Sequence, residues 1–146
     1  MDIFDYTLPH IWQKRRDFID KEIELADIGS YDTCDHAVVL FMDMSRAYCA
    51  GAWISVIIMS VSVIDSHLRE TEAMNDEIGT AKLLNDYYKG DDIDWLRKLR
   101  NRYVHYCIES PILESNDFFD KQEELEEYAT TAIKMAIKAL FQRQFI

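Results

Sequence analysis

AYCAGAWISVIIMSVSVI, residues 47–64, carries no charged side chain. A run of this kind is either a membrane span near the minimum length or a helix buried within a protein. Tyr48, Gly51, Ser55, Ser60 and Ser62 dilute its apolar character, and no cluster of Lys and Arg marks a cytoplasmic flank. The stretch therefore reads as the central helix of a bundle. Working outward from it, Ala37, Phe41, Met44, Tyr48, Gly51, Ile58, Val61, Asp65 and Leu68 recur mostly at helix-stripe spacing. Ala50, Trp53, Ile57, Ser60 and Ile64 form a second stripe on another side. Two apolar faces predict one long helix, from about Thr33 to Arg69. It either lies centrally in its own bundle or packs that bundle on one side and a partner on the other. Gly51 then sits inside the helix, where it permits close approach at some cost in propensity.

The flanking segments extend this pattern. Pro9 suits a first turn and Thr7 a cap, so a helix is predicted from about Pro9 to Ala26, ended by Gly29-Ser30. Ile11, Phe18, Ile19, Ile23 and Leu25 are its apolar positions. Thr71 to Gly79 reads as an acidic loop, and Ala81 to Lys89 as a short helix stopped by Gly90. Asp91 caps a helix from about Asp92 to Cys107, which ends before Pro111. Ser115 or Asn116 caps a last helix from about Asp117 to Gln144. Leu125, Tyr128, Ala132, Ala136, Ala139 and Leu140 form its apolar face, while Glu123, Glu124, Glu126 and Glu127 read as a solvated one. The fold predicted is all-α, an up-and-down bundle of four to five helices in a single domain spanning residues 1–146. With 146 residues, 49% of them hydrophobic, such a chain buries a sufficient core without disulfides.

The formal charge of −11 excludes a general basic surface for nucleic acid, because that affinity comes from neutralising phosphates. Contact with nucleic acid would need a local positive patch. Cys34, Cys49 and Cys107 form no CxxC pair and are odd in number, which suits reduced thiols in the cytoplasm. MDIFDYTLPH lacks the basic and apolar regions of a signal peptide. Asp32, Cys34, Asp35 and His36 are the one candidate metal cluster, but no second ligand pair supports them. No Glu-x-x-His, GxSxG or phosphate-binding glycine loop occurs, so no metal or cofactor is expected. His10 and His67 read as surface residues. Asp65, on the seam of the long helix, needs a partner if buried, and an Arg of the Asp92–Cys107 helix is a plausible one.

One segment stands apart from the acidic background: Trp95-Leu96-Arg97-Lys98-Leu99-Arg100-Asn101-Arg102-Tyr103-Val104-His105-Tyr106. Four of the 16 Lys and Arg fall between Arg97 and Arg102. Leu96, Leu99, Tyr103 and Cys107 can face the core, leaving Arg97, Arg100, Asn101 and His105 at polar positions. Asn101 and His105 are four apart and can share a face, so Asn101 can hold the imidazole in one orientation. A guanidinium offers phosphate a rigid, permanently charged set of donors. A histidine can move a proton near neutral pH. Together they suit metal-free chemistry on a phosphodiester. The same spacing also suits a solvated boundary histidine near an arginine.

Arg100-Asn101 through His105 resembles the Arg-x(4–6)-His motif of the HEPN superfamily, including the polar residue that often follows its Arg. The stretch from Gly51 to Asp65 is similar in pattern to the long second helix of many members. The order of long, short, motif and final helices, over roughly residues 33 to 143, resembles theirs. The resemblance implies a homodimer with two motifs face to face, acting as a metal-independent endoribonuclease on single-stranded or loop RNA. His105 would assist attack by the ribose 2′-hydroxyl or protonate the leaving oxygen, giving a cyclic phosphate. Arg100 would stabilise phosphate charge, and Asn101 would position His105 or the phosphate. Arg97 and Arg102 are accessory phosphate contacts on their charge alone. A role as a toxin or defence factor, with an antitoxin or regulatory protein as partner, is also implied. Members paired with a nucleotidyltransferase antitoxin often carry a Tyr two residues after the His. Here Tyr106 follows His105 directly, which argues against that pairing. Other members are non-catalytic modules that bind a nucleotide or protein.

Overall fold

A computed structural model describes residues 1–145. Among them, α-helices form α1 (Pro9–Ala26), α2 (Asp35–Ala50), α3 (Trp53–Leu68), α4 (Thr80–Tyr87), α5 (Ile93–Val104), α6 (Asp117–Asp120) and α7 (Gln122–Phe141). A π-helical turn, Arg69–Ala73, extends α3. Two-residue strands β1 (Ser30–Tyr31) and β2 (Gln144–Phe145) pair antiparallel, Ser30 with Phe145 and Tyr31 with Gln144. The class is all-α, as the periodicity predicts. No described helix is long and apolar enough to cross a membrane.

The predicted single helix from Thr33 to Arg69 is instead a hairpin of α2 and α3. Its turn is Gly51, which adopts the left-handed conformation with φ 77°. Gly51 N–H donates to the Tyr48 carbonyl and Ala52 N–H to the Ala47 carbonyl, at 3.1 and 2.9 Å. This paired pattern closes a helix end on a left-handed residue, the conformation that favours glycine. Arg15 of α1 completes the cap by donating from Nη1 to the Cys49 carbonyl at 3.0 Å. Its guanidinium lies 4.7 Å from the centre of a Trp53 ring. A cation placed there also suits the negative end of α2.

The two apolar stripes are both used. Val56, Ile57, Val61, Val63, Ile64 and Leu68 of α3 are fully buried. That helix packs against α2 and α7, with α4 and α5 on its other flanks. Tyr48 Oη and Thr130 Oγ1 are 2.9 Å apart, and Trp53 Nε1–H donates to Gln122 Oε1 at 3.1 Å. These bonds satisfy polar tips at the edge of an aromatic run in which Phe18 stacks on Tyr48 and Tyr48 meets Trp53 edge-on.

Several boundaries differ from expectation. The motif helix α5 ends at Val104, three residues before Cys107, and Cys107 is exposed rather than in the core. Asp92, not Asp91, precedes the first turn of α5, in the left-handed conformation. Thr7 makes no capping bond, and α1 starts behind Leu8 with Pro9 in its first turn. The last helix is interrupted at Lys121. His67 is buried, against the surface position expected, whereas His10 is exposed.

Candidate active site

The motif sits on α5, where Leu96 is buried and Leu99 and Tyr103 pack against the core as their spacing predicts. That anchoring fixes the directions of the charged side chains. Arg100 and Arg102 are two residues apart, so they lie ~160° apart around the helix. Arg97 and Arg100 share one flank, three apart, and Lys98 and Arg102 the other, four apart. The basic island is thus two half-islands separated by the helix.

On the first flank, the Nε atoms of Arg97 and Arg100 are buried and have no hydrogen-bond partner among the described residues. A donor hidden from water without an acceptor is costly. Arg97 Nη2 lies 3.7 Å from Asp94 Oδ1, and its side chain is only 21% exposed. Val104, one turn on from Arg100, is exposed.

His105 lies just past the end of α5 in an extended conformation and is exposed. Its backbone N–H donates to the Asn101 carbonyl at 2.9 Å. The side chains of Asn101 and His105 form no hydrogen bond with each other among the described residues, so Asn101 does not orient the imidazole in this arrangement. The reason is local: the helix ends before His105, and the shared face ends with it. His105 instead lines a small groove of about 150 Å3 with Arg102, Tyr103, Tyr106, Ile112 and Leu113. Arg100 and Asn101 do not line it.

A larger cleft of about 380 Å3 between α5 and α7 adjoins the groove, the two sharing Arg102, Tyr103, Ile112 and Leu113 as wall residues. Lys98 and Lys121 contribute charge to the larger cleft, and Trp95 and Tyr128 contribute aromatic walls. Burial foremost, then Tyr128 and Glu124, pushes the Tyr103 hydroxyl up to about 12, so it stays neutral at physiological pH. Sequence reasoning missed Lys121, Trp95 and Tyr128 as members of this surface. Only the Lys98-to-Arg102 spacing, read as one helix face, signals it.

Asp65 is not partnered by an arginine of α5. Arg69, one turn on in its own helix region, donates from Nε and Nη2 to the two Asp65 carboxylate oxygens, each at 3.0 Å. Thr80 Oγ1–H donates to Asp65 at 2.8 Å, and Arg69 Nη1 reaches the carbonyls of Asn75 and Ile78. The cluster therefore ties the Met74–Gly79 loop and the start of α4 to α3. It lies apart from the motif. Asp32, Cys34, Asp35 and His36 do not assemble into a metal set, and no three His, Cys, Asp or Glu side chains among the described residues do so.

Neither a family model, nor a curated protein, nor a solved structure matches this chain.

Proposed function

We propose that the protein is a metal-independent endoribonuclease of HEPN type. It works as a homodimer whose active site is composed from two chains. The observation that carries this reading is the division of the motif. Within one chain His105 opens into a groove without Arg100, while the Arg97 and Arg100 flank holds buried guanidinium nitrogens without acceptors. A phosphate between two facing copies can meet the half-buried Arg97 and Arg100 side chains of one chain and the His105 imidazole of the other at the same phosphodiester. His105 takes the proton of the ribose 2′-hydroxyl, whose oxygen attacks the adjacent phosphorus. Water protonates the departing 5′-oxygen, leaving a 2′,3′-cyclic phosphate, so each site needs one His105 and the facing copy's Arg100. Arg100, with Arg97 beside it, stabilises charge growing on the phosphate. Asn101 can position either group once a strand is bound. Work on RNA in the cytoplasm, as a toxin or defence factor under an antitoxin or regulator, belongs to this proposal.

The test is RNA cleavage in EDTA by the parent chain, Arg100→Ala and His105→Ala. Each variant should lose at least ~100-fold in rate. Mixing the two inactive chains, then letting them exchange, should restore part of the activity if sites are shared. Cleavage that survives in both variants refutes the site. A second reading is a non-catalytic module that binds a nucleotide or protein, to which the aromatic-walled cleft between α5 and α7 is suited. Absence of cleavage by the parent chain across varied RNAs selects it.

A further inference from the structure

The cleft between α5 and α7 has no part in the chemistry above, yet it has the makings of a site. Its volume, about 380 Å3, is within the roughly 300–1,000 Å3 of small-molecule sites. Trp95 and Tyr128 meet edge-on with ring centres 5.6 Å apart, so one wall is a preformed aromatic corner. Tyr103 and Leu99 line the cleft beside it. Lys98, Arg102 and Lys121 are all exposed at its rim, in a chain whose net charge is −11. The opposing acids are Glu124, which accepts a bond from Tyr128 Oη–H at 3.0 Å, and Asp117, which lies 3.4 Å from Lys121 Nζ. Lys98 and Arg102 form no ion pair among the described residues. Aromatic walls with exposed cations beside them suit a flat ring bearing a phosphate, because bases stack on aromatic faces while the backbone is held by charge.

We infer that this cleft is a subsite for one unpaired nucleotide of an RNA strand, next to the phosphodiester at His105. The base packs in the corner formed by Trp95 and Tyr128. Its phosphate lies on Lys98, Arg102 and Lys121. Arg102 belongs to both the cleft and the His105 groove, so the strand passes from one to the other along it. A paired base cannot enter, because the corner takes a whole ring face. Selection for single-stranded RNA therefore resides in α5 and α7, apart from the reacting groups. The inference rests on the ribonuclease proposal only for the choice of RNA.

The experiment is fluorescence anisotropy of a labelled oligoribonucleotide with the full chain carrying His105→Ala, so that the strand stays intact. A single strand should bind, and Lys98→Glu with Lys121→Glu should weaken it at least ~10-fold and flatten its salt dependence. The same sequence as a duplex should bind at least ~10-fold more weakly, since its bases cannot leave the stack without cost. Strand binding should quench tryptophan emission in the parent, and Trp95→Phe should remove that quench. Both lysines are exposed, so circular dichroism melts check that the variants stay folded. Equal affinity after the double charge reversal overturns the inference, as does equal binding of duplex. If the parent never cleaves RNA yet binds through Lys98 and Lys121, this subsite stands and the ribonuclease proposal falls. If it cleaves with KM and affinity indifferent to both lysines, the reverse holds.

Discussion

Replacing Gly51 by Ala separates the hairpin from the continuous helix by the sign of one number. In a helix running through residue 51, Ala removes a glycine penalty and stabilises by ~1 kcal/mol. In the hairpin, residue 51 has φ 77°, where an L side chain costs ~1–2 kcal/mol. A Cβ there would lie 3.4 Å from Arg15 Nη1 and 3.7 Å from the Trp53 ring. Both are ordinary van der Waals distances, so Arg15 keeps its bond to the Cys49 carbonyl and the backbone conformation carries the cost. Lower chain entropy in unfolded Ala returns ~0.4–1 kcal/mol. The net expectation is destabilisation of roughly 1 kcal/mol, which lowers Tm by ~2–4 °C at this chain length. Urea unfolding at fixed protein concentration measures it, with the m-value unchanged if only the native turn is affected. Gly51→Asn should cost less than Ala, because Asn tolerates the left-handed region. An unchanged or raised midpoint for Gly51→Ala refutes the hairpin turn.

Two further outcomes follow from a buried and a half-buried polar group. Burial, partly opposed by Glu72, Glu70 and Asp32, holds His67 below its ordinary 6.5. A neutral imidazole is therefore favoured in the fold, and the unfolded chain binds the proton more tightly. That stability is fully present above pH 6.5 and is lost as pH falls below it towards the folded value. Urea midpoints measured from pH 7.5 to 5 should show this slope, and His67→Leu should flatten it; an identical slope in the variant rules His67 out. Asp65→Asn removes the carboxylate that Arg69 and Thr80 share and should cost on the order of 1–2 kcal/mol. Hydrogen exchange should rise in the Met74–Gly79 loop, while RNA cleavage measured well below the melting temperature should be unchanged. A selective loss of cleavage in a folded Asp65→Asn chain would place Asp65 in the active site after all.

Much of the fold is legible because apolar periodicity reports what must be buried. Pro9 and Ala26 bound α1 as read, and both stripes of the 47–64 stretch are covered. The break at Gly51 is invisible to periodicity, since the apolar phase continues across it. Only the backbone conformation, φ 77° with paired bonds to Ala47 and Tyr48, distinguishes a helix stop from a helix interior. His67 misleads for a related reason. It is polar by composition, yet it occupies the buried side of α3 next to Leu68, with its Nδ1 unpartnered among the described residues. Asp65 misleads in the opposite way. Its position on the seam does predict a need for a cation, but the cation is four residues away on the same chain segment, and proximity wins over the more distant α5.

The candidate site shows the same division between what composition reports and what geometry decides. A count of charges makes Arg97 to Arg102 one island. Helical geometry divides it, because Leu96, Leu99 and Tyr103 are fixed inward and residues two apart must then diverge. Arg100 and Arg102 consequently serve different surfaces, one carrying a buried guanidinium nitrogen and the other the wall of a groove. Each half must find its complement elsewhere. For Arg102 the complement lies within the chain, since it lines the α5–α7 cleft together with Trp95 of its own helix and with Lys121 and Tyr128 from the α7 side. For Arg100 and His105, the groove that His105 lines does not include Arg100, and the Asn101 side chain makes no bond to His105 among the described residues. A motif written as six consecutive residues therefore functions, on the proposed reading, only when a second copy supplies the other half. Exchange between Arg100→Ala and His105→Ala chains then becomes a more decisive measurement than either loss of activity alone, because a site held within one chain cannot be rebuilt by mixing.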